Sequence, residues 1–441
     1  SEVPGVATWI RGGRVVDPLR GRIEDLDIVV ERGRIKDMLQ PGGLTEVPPR
    51  VKIIDASGRL VLPGLIDMHV HLREPGHEYK ETVESGSRAG VAGGFTALAC
   101  MPNTDPVNDS RSVTEFILRQ ARSAGYLKVH PVAAVTMGQK GEALTEFGDL
   151  KQAGAVGVSD DGRPVLSSQV MRRALEYGRF HGLIVISHCE DTSLSSEGAM
   201  HEGKVSTKIG LRGIPAAAEE IMVYRDINLS RLTGCPVHIA HVSTRGSVEL
   251  IRRAKEEGLP VTAETAPHYF TLDHTAVIGY RTEAKMNPPL RTPEDVQAVK
   301  EGLARDVIDA IATDHAPHSP LEKDVEFEQA AFGIIGLETA LPLTLALVEQ
   351  GVLSLPEAVK KLTVNPARIL GVDGGLLNKG ASADLTIVDP DLEFVLTAGE
   401  LQSRSSNSPF LGLPLRGRAE LTMVGGRIVW KRPPAHPGGG R

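Results

Sequence analysis

Hydrophobic and polar positions are patterned in two different ways along this chain. From 8 to 62 they alternate in short runs, TWIRGGRVVD, DLDIVVERGRIKDML and VKIIDASGRLVL, the period of half-buried strands. Gly-Arg followed by an aliphatic residue recurs at Gly13, Gly33 and Gly58 and returns at Gly426 in LTMVGGRIVW. Glycine takes the positive φ of a tight turn at no steric cost, so each of the four is read as a hairpin. Residues 383–432 repeat the pattern, with ADLTIVDP and LEFVLT as two further strands. The two chain ends, 1–62 and 381–432, are therefore expected to build one small β-sandwich.

Between them, over 63–380, short apolar runs are each followed by a helical stretch, the alternation that predicts βαβ units and a parallel sheet. Eight runs qualify as strands: 65–69, 95–99, 129–135, 155–159, 183–187, 237–241, 260–264 and 308–313. Eight such units predict an α/β (β/α)8 barrel of the TIM type, whose chemistry lies at the C-terminal ends of its strands. The helical intervals agree. After the fourth strand, SSQVMRRALEYGRFHG carries Val170, Met171, Ala174, Leu175 and Tyr177 at spacings of three and four, a core-facing stripe. The tail 433–441 is rich in Pro and Gly and is expected to be disordered.

Composition narrows the class. The 441 residues exceed a single core, and with 41% hydrophobic and 24% charged residues the chain reads as globular. A net charge of −7 without a basic run argues against nucleic acid as a partner. Three cysteines without a CxxC spacing rule out a disulfide framework and point to the cytoplasm. No basic segment followed by an apolar core opens the chain. Its most apolar stretch, 337–348, is interrupted by Glu338, Thr339, Pro342 and Thr344, so neither a signal peptide nor a membrane span is expected.

The candidate chemistry gathers on one rim of the expected barrel. His69 and His71 close the first strand as His-x-His, and residues two apart on a strand face the same side. Alone, the pair fits hydrogen bonding at a barrel end as well as it fits an ion. Asp161 follows the fourth strand, His188 the fifth, while His241 ends the sixth and Asp314 the eighth. Four imidazoles and two carboxylates exceed one tetrahedral site. Nitrogen and oxygen donors without thiolate suit a pair of Zn2+ ions that activate water, so metal-assisted hydrolysis is the reaction class.

Four segments, GLIDMHVHLREPG at 64–76, MPNTDPV at 101–107, NPPLR at 287–291 and ATDHAPH at 312–318, together resemble the dihydroorotases of the cyclic amidohydrolase superfamily, in their large bacterial type. The resemblance implies a (β/α)8 barrel with a β-sandwich from both chain ends. It also implies reversible cyclisation of N-carbamoyl-L-aspartate to L-dihydroorotate in pyrimidine biosynthesis. It assigns two Zn2+ per subunit to His69, His71, Asp161, His188, His241 and Asp314. His71, Arg73, Asn103, Asn287, His318 and the backbone at Phe332 and Gly333 are assigned to the substrate. In the implied mechanism a metal-held hydroxide attacks the ring amide and Asp314 carries its proton to the leaving nitrogen. Many superfamily members bridge their metals with a carboxylated lysine, but the nearest lysine here, Lys151, precedes the fourth strand. Asp161 takes that place, favoured over Asp160 by its 27-residue spacing to His188.

Arg73 suits a substrate carboxylate, since guanidinium grips it bidentately, and the His-x-His-x-Arg spacing sets it on the ligand face of the first strand. Asn103 without its motif would read as a turn residue. His268 is expected to support or pack, Cys189 to be a buried thiol, and His77, His181, His201 and His274 to lie on the surface. Two assemblies are expected by resemblance, a homodimer and a complex with aspartate carbamoyltransferase. The competing readings are an allantoinase or hydantoinase and a non-catalytic scaffold.

Overall fold

The computed structural model describes residues 7–43 and 51–433. The tail expected to be disordered falls outside the described residues from 434 onward. The centre of the molecule is a ring of eight parallel strands, Leu65–Val70, Phe95–Cys100, Lys128–Ala133, Gly157–Val158, Ile184–Ser187, Val237–Ile239, Val261–Thr265 and Ala310–Ile311, each bonded to the next. Each overlaps one predicted run. The last seam, from eighth strand to first, is made past the strand ends, where Val70 bridges His315 and His71 N–H donates to His315 O at 2.8 Å. Met68, Ala99, Met101, Val132, Ile186, Ala240, Ala310 and Ala312 fill the ring as one buried cluster.

The helix expected after the fourth strand spans Ser168–His181. Ser167 accepts from Val170 N–H at its start, and Gly182 at φ +66° ends it. Met171, Ala174 and Leu175 are buried as the stripe requires, with Val170 and Tyr177 packed at its margin.

Strands from both ends of the chain share one sheet. Ala7–Asp17 runs antiparallel to Arg22–Glu31 and parallel to Val51–Asp55 and Leu60–Pro63, and Leu60–Pro63 pairs with Leu385–Val395 from the far end. Pro414–Val424 and Arg427–Lys431 extend that side, and Arg34–Leu39 extends the other. The two outer hairpins curl round until they meet: a Cβ on Gly33 would lie 2.8 Å from Gly425 O, and one on Gly426 would lie 2.7 Å from Gly33 Cα. Ile10, Ile28, Ile35, Val61, Leu385 and Met423 are buried inside the curl, which is the expected sandwich.

Two of the four glycine hairpins are as read, at Gly33 and Gly426, both with positive φ. The other two are corrected. Gly13 lies inside one long strand at a register shift, where a Cβ would fall 2.5 Å from Val61 Cγ2, so glycine serves close strand approach there. Gly58 (φ +72°) joins Val51–Asp55 to Leu60–Pro63, which run in the same direction, so the turn is a jog. ADLTIVDP and LEFVLT merge into the single strand Leu385–Val395, which shifts register between Asp389 and Glu393 as it passes Pro390.

All three cysteines are free and buried. Among the described residues no helix is long and apolar enough to cross a membrane.

Candidate metal centre

The strand ends bring the six predicted ligands to one point. Ligand atoms of His69, His71 and Asp161 lie within 4.8 Å of one another, and so do those of Asp161, His188 and His241. Asp161 belongs to both groups, the place of a bridge. Its Oδ1 stands 3.4 Å from His69 Nε2, 3.3 Å from His188 Nδ1 and 3.4 Å from His241 Nε2, and its Oδ2 stands 3.4 Å from His71 Nε2. Asp314 Oδ1 is 3.0 Å from His71 Nε2 and 3.4 Å from His69 Nε2. Asp160 faces the other way, accepting from Val135 N–H, Thr136 N–H and the Thr136 hydroxyl. Lys151 is spent on Gly182 O at the surface.

Three of the four imidazoles are turned by an outer acceptor. His69 Nδ1–H donates to Glu264 at 2.6 Å, His71 Nδ1–H to Asn103 Oδ1 at 2.7 Å and His188 Nε2–H to Glu190 at 2.7 Å. Each bond leaves the opposite ring nitrogen directed inward, the state a metal ligand requires. His69 Nε2 and Asp161 Oδ1 are buried and make no hydrogen bond among the described residues. His188 Nδ1 and His241 Nε2 stand only 2.8 Å apart. Buried atoms left without partners and converging nitrogen lone pairs are costly unless a cation lies between them.

The local charges make the same demand. Burial disfavours the ionised forms, yet Asp161, Asp314 and Glu264 raise His69 well above its ordinary value. Burial likewise opposes charge on His188, but Asp161 and Glu190 hold it at about 10. Asp161 and Asp314 remain below the usual carboxylate range despite their burial, through the imidazoles around them. The donor set, nitrogen and carboxylate oxygen with one shared carboxylate, fits a pair of divalent ions.

Backbone strain accompanies the site. His241 has φ +35°, Asp314 +51° and Arg73 +64°, all in the region that L-residues avoid. The expectation that Arg73 extends the first strand is corrected here, because the strand ends at Val70 and the chain then turns back through a left-handed residue. Arg73 is 8% exposed. Its Nε donates to Pro317 O at 3.1 Å and its Nη2 lies 3.2 Å from His318 Nε2. Burial, then the charges of Arg73, Lys80 and Lys323, push His318 down to about 2, so it is a neutral imidazole, placed 2.8 Å from Phe332 O.

Asn103 supports His71, and Asn287 Nδ2 donates to Glu190 at 3.0 Å. Gly333 gives its N–H to Lys285 O and its own O to Lys323 and Asn407. The Phe332 N–H is left unpaired among the described residues.

The sequence reading passed over several supporting groups. Glu264, next to last in the seventh strand, holds both His69 and His238, and Glu190 stands two residues past His188. Asp67, two before His69, accepts from His69 N–H and Thr313 N–H at 3.1 Å each. An acidic side chain inside an apolar run was the available signal at Glu264 and Asp67. His201 is corrected from surface to interior: it is buried, with Nδ1 3.3 Å from Arg291 Nη1. His268 is buried as well and packs on Tyr269, ring centres 4.2 Å apart. The Cys189 thiol faces Asp226 and Ser187 instead of the ligand groups.

Known proteins match this chain along nearly its whole length. Residues 58–247 match the dihydro-orotase-like family and residues 237–430 the amidohydrolase family. Proteins named dihydroorotase from Geobacter metallireducens and Geobacter sulfurreducens are 56% and 58% identical to this chain, each across 96% of it and 99% of the relative. Among solved structures, the L-hydantoinase (dihydropyrimidinase) of Arthrobacter aurescens superposes with a TM-score of 0.86 at 26% identity, covering 96% of both chains. The dihydropyrimidinase of Brevibacillus agri shares the fold, at a TM-score of 0.84 and 21% identity over 97% of this chain and 95% of its own. More than half the residues are shared with the dihydroorotases nearly end to end, against about a quarter with the hydantoinase, and this chain belongs to the dihydroorotase family.

Proposed function

We propose that this chain is a Zn2+-dependent cyclic amidohydrolase that interconverts N-carbamoyl-L-aspartate and L-dihydroorotate in the supply of pyrimidines. The observation that carries the reading is the buried Arg73–His318 pair beside ligand groups that share Asp161. It sets a fixed cation for a substrate carboxylate next to a centre suited to amide hydrolysis. His69, His71, Asp161 and Asp314 would hold one ion, and Asp161, His188 and His241 the other. Bound there, the metals supply an acidified water and a Lewis acid for the amide carbonyl.

The chain's own groups do the rest. Arg73, fixed through Nε to Pro317 O, presents its remaining N–H donors to the carboxylate, with His318 beside it, and Asn103, whose Oδ1 is taken by His71, offers its amide N–H to the same group. The ring is positioned by Asn287 and the Phe332 N–H. Asp314 is the most open of the six ligand side chains, 15% exposed where the other five are 0–6%. It is therefore the carboxylate that the reacting nitrogen reaches, taking the proton of the attacking water and returning it to the leaving ring nitrogen. Three free, buried thiols suit the reducing cytoplasm.

The test is turnover of dihydroorotate, hydantoin and allantoin side by side, with metal counted per chain. Dihydroorotate should be the substrate, with activity lost on chelation and restored by Zn2+. Turnover of hydantoin or allantoin in its place would overturn the reading.

A further inference from the structure

Two lysines lie almost wholly inside the protein beside the mouth of the barrel: Lys285 is 2% exposed and Lys323 is 5% exposed. Neither forms an ion pair among the described residues, which is unusual for a buried ammonium. Backbone carbonyls receive them instead. The three protons of Lys323 meet three acceptors: Ala331 O at 2.8 Å, Gly333 O at 3.0 Å and Lys285 O at 3.1 Å. Lys285 donates to Phe327 O at 2.8 Å and Glu328 O at 2.9 Å, and its Nζ stands 4.4 Å from the centre of the Phe332 ring.

The acceptors belong to segments that carry the proposed substrate groups. Lys285 precedes Asn287 by two residues, and Lys323 follows His318 on the next turn of chain. Ala331 and Gly333 flank Phe332. Asn407 closes the same knot from the C-terminal side, accepting from His318 N–H and donating to Ala316 O and Gly333 O. Gly333 (φ +126°) leaves no room for slack, since a Cβ there would sit 2.6 Å from Ala316 Cβ.

A side chain needed only to fill this space would be apolar, because replacing buried charge by hydrocarbon of similar volume is often neutral or stabilising. Burial and the neighbouring Lys285 push Lys323 down to about 7, with Glu283 acting the other way, and burial brings Lys285 to about 8 against Glu328. Burial thus works against the charge, and the three carbonyl acceptors around Lys323 are what favour it. Removing it strands little: Lys285 O keeps the Gly333 N–H and Gly333 O keeps Asn407, so only Ala331 O loses its donor.

We propose that Lys323 is a positioning residue for the substrate, its ammonium clamping the 331–333 turn to the segments bearing Asn287 and His318. The inference rests on the assignment of those groups to the substrate. Lys323 touches neither the metal ligands nor the reacting atoms, so its effect belongs in substrate binding.

The test uses the full metal-loaded chain with Lys323→Met, with Lys285→Met and Lys323→Gln as companions. KM and kcat for dihydroorotate, metal per chain, melting temperature and hydrogen exchange of the peptide covering 326–334 are measured. In Lys323→Met, KM should rise about tenfold or more while kcat stays within about threefold. Metal content and melting temperature should hold, and exchange at 326–334 should quicken. Lys285→Met should move the same way, and Lys323→Gln, which keeps two donors, should fall between. Unchanged exchange overturns the clamp, as does a loss of metal or a fall in melting temperature that accounts for the KM change. Quickened exchange with an unchanged KM overturns the assignment of Phe332 and Gly333 to the substrate, and the positioning role with it. An inactive wild-type control identifies failure of the proposed reaction itself.

Discussion

Asp160 and Asp161 are neighbours in the chain with opposite surroundings. Asp161 faces four imidazoles, whereas Asp160 caps the backbone at Val135 and Thr136. Asp161→Ala should therefore release at least one metal per chain and lower kcat about 100-fold or more, since two cations would be left without their shared anion. Asp160→Ala should keep its metal and lose stability on the order of 1–3 kcal/mol. Metal analysis, turnover and denaturant unfolding of both variants separate these outcomes, and bicarbonate should not affect reconstitution, because Lys151 is turned to Gly182 O and Asp161 stands among the imidazoles in its place. Arg73→Lys should raise KM for dihydroorotate about 10- to 100-fold with metal unchanged, a point charge being unable to reproduce the fork that reaches both Pro317 O and His318. At this scale the ligands were legible because each sits at the end of an apolar run. The conformation of Arg73 was not, since period-two spacing assumes a strand and the strand stops at Val70. Polar neighbours in sequence likewise hid the burial of His201, which packs against residues far along the chain.

Among the elements, the barrel strands were legible as buried apolar runs, but their lengths were not. The fourth and eighth are regular over only two residues each, Gly157–Val158 and Ala310–Ile311. The seam between eighth and first strands therefore leans on Asp67, whose Oδ1 accepts from His69 N–H on one side and Thr313 N–H on the other. Asp67→Ala should cost about 2–4 kcal/mol by leaving two buried donors unmet. Hydrogen exchange should show the loss concentrated at His69 and Thr313, and uniform loosening across the ring would contradict a local clasp. The glycine turns show the converse error. Gly-Arg-aliphatic describes the hairpins at Gly33 and Gly426, but the same triplet at Gly13 answers to the nearness of Val61, a neighbour that local sequence cannot reveal.

Across the whole molecule, the segment between the last two long strands of the sheet reaches back over the barrel. Asn407 holds His318, and Glu338 accepts from Gln402 N–H at 2.9 Å and Ser403 N–H at 3.1 Å. No spacing announces these contacts, which join residues some 60 to 90 positions apart. Burial raises Glu338 from 4.5 to about 7, outweighing the two backbone donors. Between those values the folded chain keeps a proton that the unfolded chain releases, so this group's contribution is whole below about pH 4.5 and is lost as pH climbs through 7. Glu338→Gln does not titrate, and its melting temperature relative to the wild type should improve between pH 5 and pH 8, worth on the order of 1–2 kcal/mol. A difference independent of pH would refute this. The pairing of Leu60–Pro63 with Leu385–Val395 also bears on the birth of the protein. About 320 residues separate the two strands. At roughly 5–20 residues per second the ribosome needs on the order of 15–60 s to deliver the second after the first. For that interval the nascent chain carries an apolar strand edge with no mate, and a helper that shields it would act before Leu385–Val395 is made.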